Sequence, residues 1–338
     1  MYRLILPTLF VLGVTAGVAE AGHDKVDRVT KTNGDVVICE VLGLQRGMLK
    51  VKTDGMGTVS IEWVKVVGIT SPARFEVELS SGAVFFGTLG APAPGHISVN
   101  GSALEFDLSL VVRITPIDQS LWRQLDGSVD LGYTFTQADQ RSQWSFNSAV
   151  QRTTRKWSSR LTANSVLTFE ETGTRQSRNT VSFTEQRQFA NRWFVAVFGQ
   201  ADQNGELELD SRFLGGGGIG RTAVQTNRVL FSSFVGLTYT QERYSGESAH
   251  NFSEMVLGAR LDWFTFGDYK TDVVVAEQTF FQVNDFTRVR VELNTTFKQE
   301  VVKDLYFSVN LLESFNAAPP NNNKKNDMTL SMSLGWSF

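Results

Sequence analysis

Apolar and polar residues alternate with a period of two through most of the second half of the chain. The final segment is the clearest case: Met328, Leu330, Met332, Leu334, Trp336 and Phe338 interleave with Thr329, Ser331, Ser333, Gly335 and Ser337. A period of two puts the two sets on opposite faces of a β-strand. The same alternation appears in Val129, Leu131, Tyr133 and Phe135, in Met255, Leu257, Ala259, Leu261 and Trp263, and in Val289, Val291, Leu293 and Phe297. From Gly127 onward we read about twelve such segments of roughly ten residues or more, a length and an even number that suit an antiparallel transmembrane β-barrel. The segment near 207–219 is expected to be broken by its glycines, and 202–206, 241–250 and 317–326 to be polar turns or loops. A soluble sandwich shares the period, so alternation alone leaves open which face is wet. Strand length and the aromatics Trp144, Trp157, Trp193, Tyr239, Trp263, Tyr306 and Trp336, placed like interfacial girdles, favour the barrel. Leu334, Trp336 and the terminal Phe338 read as an outer-membrane insertion signal.

Before Gly127 the pattern changes to short Val/Ile/Phe-rich strands arranged as two copies of one unit, about 24–71 and 72–117. Gly34, Val36, Val37 and Ile38 match Gly82, Val84, Phe85 and Phe86, and Val66-Val-Gly-Ile-Thr70 matches Val111-Val-Arg-Ile-Thr115. Asn33-Gly34 and Ser81-Gly82 mark tight hairpins at equivalent places. These strands are too short for a bilayer. They predict two small SH3-like or Sm-like β-barrels packed together, joined by a linker (118–126) to the barrel at 127–338. Trp122 in that linker suits a membrane interface. At the start, Arg3, an apolar stretch from Leu4 to Val14 and Ala19-Glu-Ala21 have the form of a signal peptide over 1–21, with Gly22 as first mature residue. The expected class is therefore all-β, exported, with the repeats (22–117) in the periplasm of a Gram-negative envelope and no transmembrane helix.

Composition changes the picture only at the margins. A net charge of −3 gives no reason to expect nucleic acid as a partner. The single Cys39 excludes an internal disulfide framework, and together with three separated histidines it argues against a metal site or cofactor. Cys39, between apolar neighbours, reads as a small buried hydrophobe.

Three candidate chemistries remain. Gly215-Gly-Gly-Gly-Ile-Gly220 matches G-x-G-x-x-G, but a strand rather than a helix follows, so the glycines read as relief of crowding. His250 is the one histidine within the barrel, and no nucleophile is identifiable beside it, so a membrane hydrolase is a remote alternative and no enzyme activity is expected. The lumen-facing charges are the most informative: Asp130, Glu254, Arg260, Asp262, Arg288, Arg290, Glu292 and Lys298 carry both signs. They can pair across the barrel and fill it, or line a narrow wet channel for ions or small solutes.

Further motifs carry a family resemblance. They are Arg192-Trp-Phe194, Leu209, Ser211-Arg212, Gly215, Gly217-Gly-Ile-Gly220, Gly236-Leu-Thr-Tyr239, Glu242-Arg-Tyr244, Pro319-Pro320, Lys325, Asp327 and Leu334-Gly-Trp-Ser-Phe338. With these the chain, from about Gly127 to Phe338, resembles the salt-induced outer-membrane protein family, a β-barrel domain of unknown function. It departs at the first hairpin, where Thr136-Gln-Ala-Asp139 stands in place of Gly-Asn. Longer members look similar in front as well, with a unit like Asn33-Gly34-Asp35. The resemblance implies an outer-membrane barrel and no catalytic residues. Expected partners are outer-membrane lipids, the outer-membrane assembly machinery and a periplasmic protein docking on the repeats; the expected role is structural, in envelope adaptation.

Overall fold

In the computed structural model the described residues are 26–99, 105–117, 124–136, 141–169, 175–205, 208–246, 248–267, 270–302, 305–317 and 325–336. The signal-peptide reading, Trp122, the first barrel hairpin at 137–140, Pro319-Pro320 and Phe338 lie outside them. Among the described residues the regular structure is β-strand with a few single 3-10 turns, and no helix is long and apolar enough to cross a membrane.

The N-terminal strands are β1 (Asp27–Lys31), β2 (Val36–Gln45), β3 (Met48–Thr53), β4 (Gly57–Glu62), β5 (Val66–Leu79), β6 (Val84–Gly90), β7 (His96–Val99), β8 (Glu105–Asp107) and β9 (Val111–Pro116). They form one nine-stranded sheet in the order β4-β3-β2-β1-β5-β6-β7-β8, with β9 closing onto β2 and β5. One pairing scheme occurs twice: β1 pairs with β2 and β5, and β5 pairs with β6 and β9. Gly34 and Gly82 both hold φ of 88°, a left-handed turn conformation that favours glycine. The two units, expected as small β-barrels packed together, are joined within one sheet. β5 runs unbroken through the junction, with a register shift between Ser71 and Phe75, and a single apolar core containing Val29, Leu49, Ile69, Phe75, Val77 and Ile114 serves both halves. Half-length sheets would each leave one apolar face open, and sharing β5 lets them bury those faces against each other.

Cys39 is fully buried in this core. Burial, aided by the nearby carboxylates of Asp27 and Glu40, pushes its thiol up to about 12. At pH 8 this leaves on the order of a thousandfold less thiolate than an ordinary cysteine carries. Iodoacetamide should therefore leave Cys39 unmodified until denaturant opens the module. Modification in the folded protein would contradict this packing.

The remaining strands are β10 (Leu125–Thr136), β11 (Arg141–Thr153), β12 (Trp157–Phe169), β13 (Arg175–Gln188), β14 (Trp193–Asn204), β15 (Leu209–Gln225), β16 (Val229–Tyr244), β17 (His250–Thr265), β18 (Thr271–Gln282), β19 (Asp285–Val302), β20 (Leu305–Asn316) and β21 (Asn326–Trp336). They form a twelve-stranded antiparallel meander in sequence order. The sheet is rolled, since one cavity takes side chains from β13 round to β20. Among the described residues no ladder joins β21 to β10. The 207–219 segment is not broken as expected; β15 is continuous over Leu209–Gln225. Likewise β14 and β16 extend through Asn204 and Tyr244, into segments expected to be turns.

Parity along the ladders separates two faces. Val195, Val197, Leu237, Leu257, Leu261 and Leu334 lie on the outer face and are exposed, Leu237 at 63%. Aromatic side chains mark both ends of this face. Trp157, Trp193 and Trp263 stand exposed at the end with the shorter connections, and Tyr133, Trp144 and Tyr239 at the other. Trp144 pairs with Leu167 and Tyr239 with Ser253, each about ten residues along its strand from Trp157 and Trp263. At about 3.3 Å per residue and a tilt near 40°, the two rows are roughly 25 Å apart, the height of an apolar band in a membrane barrel. Tyr306, expected among these aromatics, instead faces inward. A Cβ on Gly335 would meet its ring at 2.3 Å, and the Lys298 ammonium lies 3.6 Å from its centroid. Gly335 leaves the ring its space there.

Candidate functional site

The inner face has two zones, set by which strand positions carry apolar groups. Near the shorter connections, rings occupy it. Phe194 and Phe234 stack at 6.4 Å, and Phe198 meets Phe234 edge-on at 5.9 Å. They lie over the inward glycines of β15 and β16, where a Cβ on Gly220 or Gly236 would strike the rings of Phe194 or Phe234. Phe264 and Phe280 are buried on the same face. The alternation of β14 gives no hint of this, because Trp193-Phe-Val-Ala-Val-Phe198 is apolar on both sides.

Toward the longer loops the inner face is charged, and a cavity of about 1470 Å³ is lined both by this zone and by the rings of Phe194, Phe198 and Phe234. The register puts all eight candidate charges on this face, but it does not bring all eight together. Arg290 is the centre. It donates to Glu254 at 3.2 Å, pairs closely with Glu292 and sits 3.9 Å from the centroid of Phe280. Glu254 is only 5% exposed, so without Arg290 its charge would be costly. Arg260 pairs with Asp262 at 2.9 Å. Arg288 stands apart near the loop end with Asp285 at 3.4 Å, Lys298 is held over Tyr306, and Asp130 lies on β10, away from the cavity lining. Sequence reasoning missed Arg212 and Glu242, a facing pair on β15 and β16 at 3.0 Å that lines the same cavity. The signal for them is the same alternation, obscured because Glu242 lies in the 241–250 segment expected to be a turn and Arg212 in the strand expected to be broken by glycines. Of the insertion-signal residues, Leu334 is exposed on the outer face and Trp336 ends β21.

The N-terminal sheet is seated on the other end of the barrel, over four successive connections. Arg155 (β11–β12) reaches Glu76 at 3.5 Å, and Arg192 (β13–β14) reaches Glu78 at 2.8 Å and donates to the carbonyls of Leu79 and Ser80. Asn227 (β15–β16) donates to the carbonyls of Ser109 and Val111. Lys270 (β17–β18) pairs with Glu62 at 3.5 Å. Arg46 adds a bridge to Asp272 at 2.8 Å and lies over the Phe264 ring. Among the described residues there is no group of three or more side chains able to hold a metal ion.

Burial pushes the Glu76 carboxyl above its ordinary range, against the pull of Arg113 and Arg155. A raised carboxyl favours the folded state when protonated. Its contribution is complete below the ordinary value of about 4.3 and is lost as pH rises through the raised one. Replacing Glu76 with Gln removes this titration. The melting temperature of the variant, measured against wild type, should gain steadily between pH 4 and 7; a difference that does not change with pH would contradict the assignment.

In comparisons with known proteins, the family model described as protein of unknown function, DUF481, matches residues 129–338. No curated protein matches the chain.

Proposed function

The chain belongs to the DUF481 family, and from that premise we propose that it is an outer-membrane β-barrel plugged from within and capped on its periplasmic side by its own duplicated β-module. The observation that carries this is the outer face: long strands, apolar and exposed, bounded by two aromatic rows about 25 Å apart. Such a surface aggregates in water and is satisfied by lipid. The signal-peptide pattern agrees with it. Lipid also requires that edges be closed, so β21 pairs with β10 in the membrane, as an even strand count allows. The shorter connections and the module then face the periplasm, and the charged cavity opens outward.

The role is structural, in envelope adaptation, as the resemblance to salt-induced outer-membrane proteins suggests; the module's remaining surface is free for a periplasmic partner. A narrow channel is the second reading, favoured by the 1470 Å³ cavity alone. Arg290, Glu254 and Phe280 crowd its wall, and the rings of Phe194, Phe198 and Phe234 line it toward the shorter connections. The test is cell fractionation. The full chain should sediment with the outer membrane, resist alkaline extraction and migrate faster unheated than boiled. Recovery in the soluble periplasmic fraction would sink the membrane reading.

A further inference from the structure

Between the module and the barrel rim lies a second cavity of about 510 Å³. Its charge is unbalanced: the basic side chains Arg46, Arg113, Arg155, Lys156, Arg187 and Arg192 line it with only Glu76 and Glu78 as acids. Arg113 and Arg192 are engaged by Glu78, Arg155 by Glu76, and Arg46 by Asp272 outside the cleft. Among the described residues Lys156 and Arg187 form no salt bridge, although Lys156 lies within the field of Glu76. Arg187 is instead held between two rings, 5.2 Å from the centroids of Trp157 and Phe189. This holds the fork of the guanidinium in place while leaving its donors open.

We propose that this cleft binds a phosphate group, and that its source is the headgroup of an anionic phospholipid in the periplasmic leaflet. Planar guanidinium groups recognise phosphate oxygens in pairs, and basic pockets at membrane level bind phospholipid headgroups. The position selects the source. Arg187 pairs across the ladder with Trp157, which is exposed on the outer face at the end where interfacial indoles sit. A headgroup there has its acyl chains against the apolar band and its phosphate in the cleft. It would also neutralise the excess charge beneath the module, so lipid binding and module docking support each other. The choice of a lipid rests on the outer-membrane reading; the phosphate chemistry of the cleft does not.

The experiment uses the full-length protein in detergent and the double variant Lys156→Gln/Arg187→Gln, which spares the pairs made by Glu76 and Glu78. Phosphatidylglycerol, phosphatidylcholine and inorganic phosphate are titrated separately and bound species counted by native mass spectrometry. Phosphatidylglycerol should bind the wild type at one saturable site and the variant roughly thirtyfold more weakly, the loss of two charges near a membrane surface. Phosphatidylcholine should not distinguish the two proteins. Saturable inorganic phosphate binding, lost in the variant and without any preference for phosphatidylglycerol, would keep the phosphate site and overturn the lipid source. Equal binding of phosphatidylglycerol to both proteins, with no phosphate site, would overturn the proposal. Failure of the membrane reading is seen separately, as soluble protein on fractionation, and leaves the phosphate titration to decide the cleft.

Discussion

Gly218→Val should abolish the folded barrel, while Gly215→Val, three residues earlier in the same strand, should be tolerated. A Cβ at Gly218 would lie 2.2 Å from the Val235 carbonyl oxygen and 2.5 Å from the Gly236 Cα, with the Phe234 ring at 2.8 Å. Two of these neighbours are backbone of the adjoining strand, so no side-chain rotation relieves the clash. At Gly215 nothing lies within 4 Å. Overpacking a tight interior usually costs about 1–3 kcal/mol, and a clash with a paired backbone belongs at or above the top of that range. An open outward position costs less than about 0.5 kcal/mol. Heat-modifiable gel mobility after refolding measures the folded fraction of each. Equal yields from the two variants would mean that β15 does not pack against β16 as described.

The second large effect concerns the seating of the module. Arg192 is 15% exposed at its side chain and holds Glu78, which is 3% exposed, together with two backbone carbonyls. Arg192→Ala removes all three contacts and leaves Glu78 with Arg113 alone, at 2.8 Å. Breaking a buried pair from one side costs roughly 3–5 kcal/mol, and the surviving partner lowers this to about 2–3 kcal/mol. Amide exchange in 79–83 should accelerate roughly 30- to 150-fold if docking protects that turn. Arg192 also has a φ of 61°, a left-handed conformation that its side-chain contacts maintain. Arg192→Gly loses the same contacts but releases this strain, so it should be the milder variant by about 1 kcal/mol. Unchanged exchange in both would show that the ion pairs do not hold the module.

Much of the barrel is legible in its sequence because a strand has only two faces. In β17, the alternation of Glu254, Arg260 and Asp262 with Leu257, Leu261 and Trp263 assigns each residue its face, and the ladders agree. Legibility fails where a residue's fate depends on a partner far away in the chain. Phe194, Phe198 and Phe234 fill the inner face because Gly216, Gly218, Gly220 and Gly236 make room opposite them, a complementarity of volume between strands that hydropathy does not encode. Tyr306 reads as an outer-girdle residue for the same reason; its space inside is provided by Gly335. The continuity of β5 is hidden because the boundary between the repeats, at 71/72, falls inside this strand and close to a register shift. The docking of the module depends on Glu78 meeting Arg192, charges more than a hundred positions apart with nothing in the local pattern to connect them.

Single-channel recording from the full-length protein in a planar bilayer is the most direct measurement of a plugged and capped barrel. With folding verified by heat-modifiable mobility, no steady unitary current should appear at moderate salt and voltage, because aromatic side chains occupy the inner face and the module covers the end with the shorter connections. A reproducible unitary current whose ion selectivity shifts when Arg290 is reversed to Glu would contradict this, and would make the charged cavity the wall of an open channel.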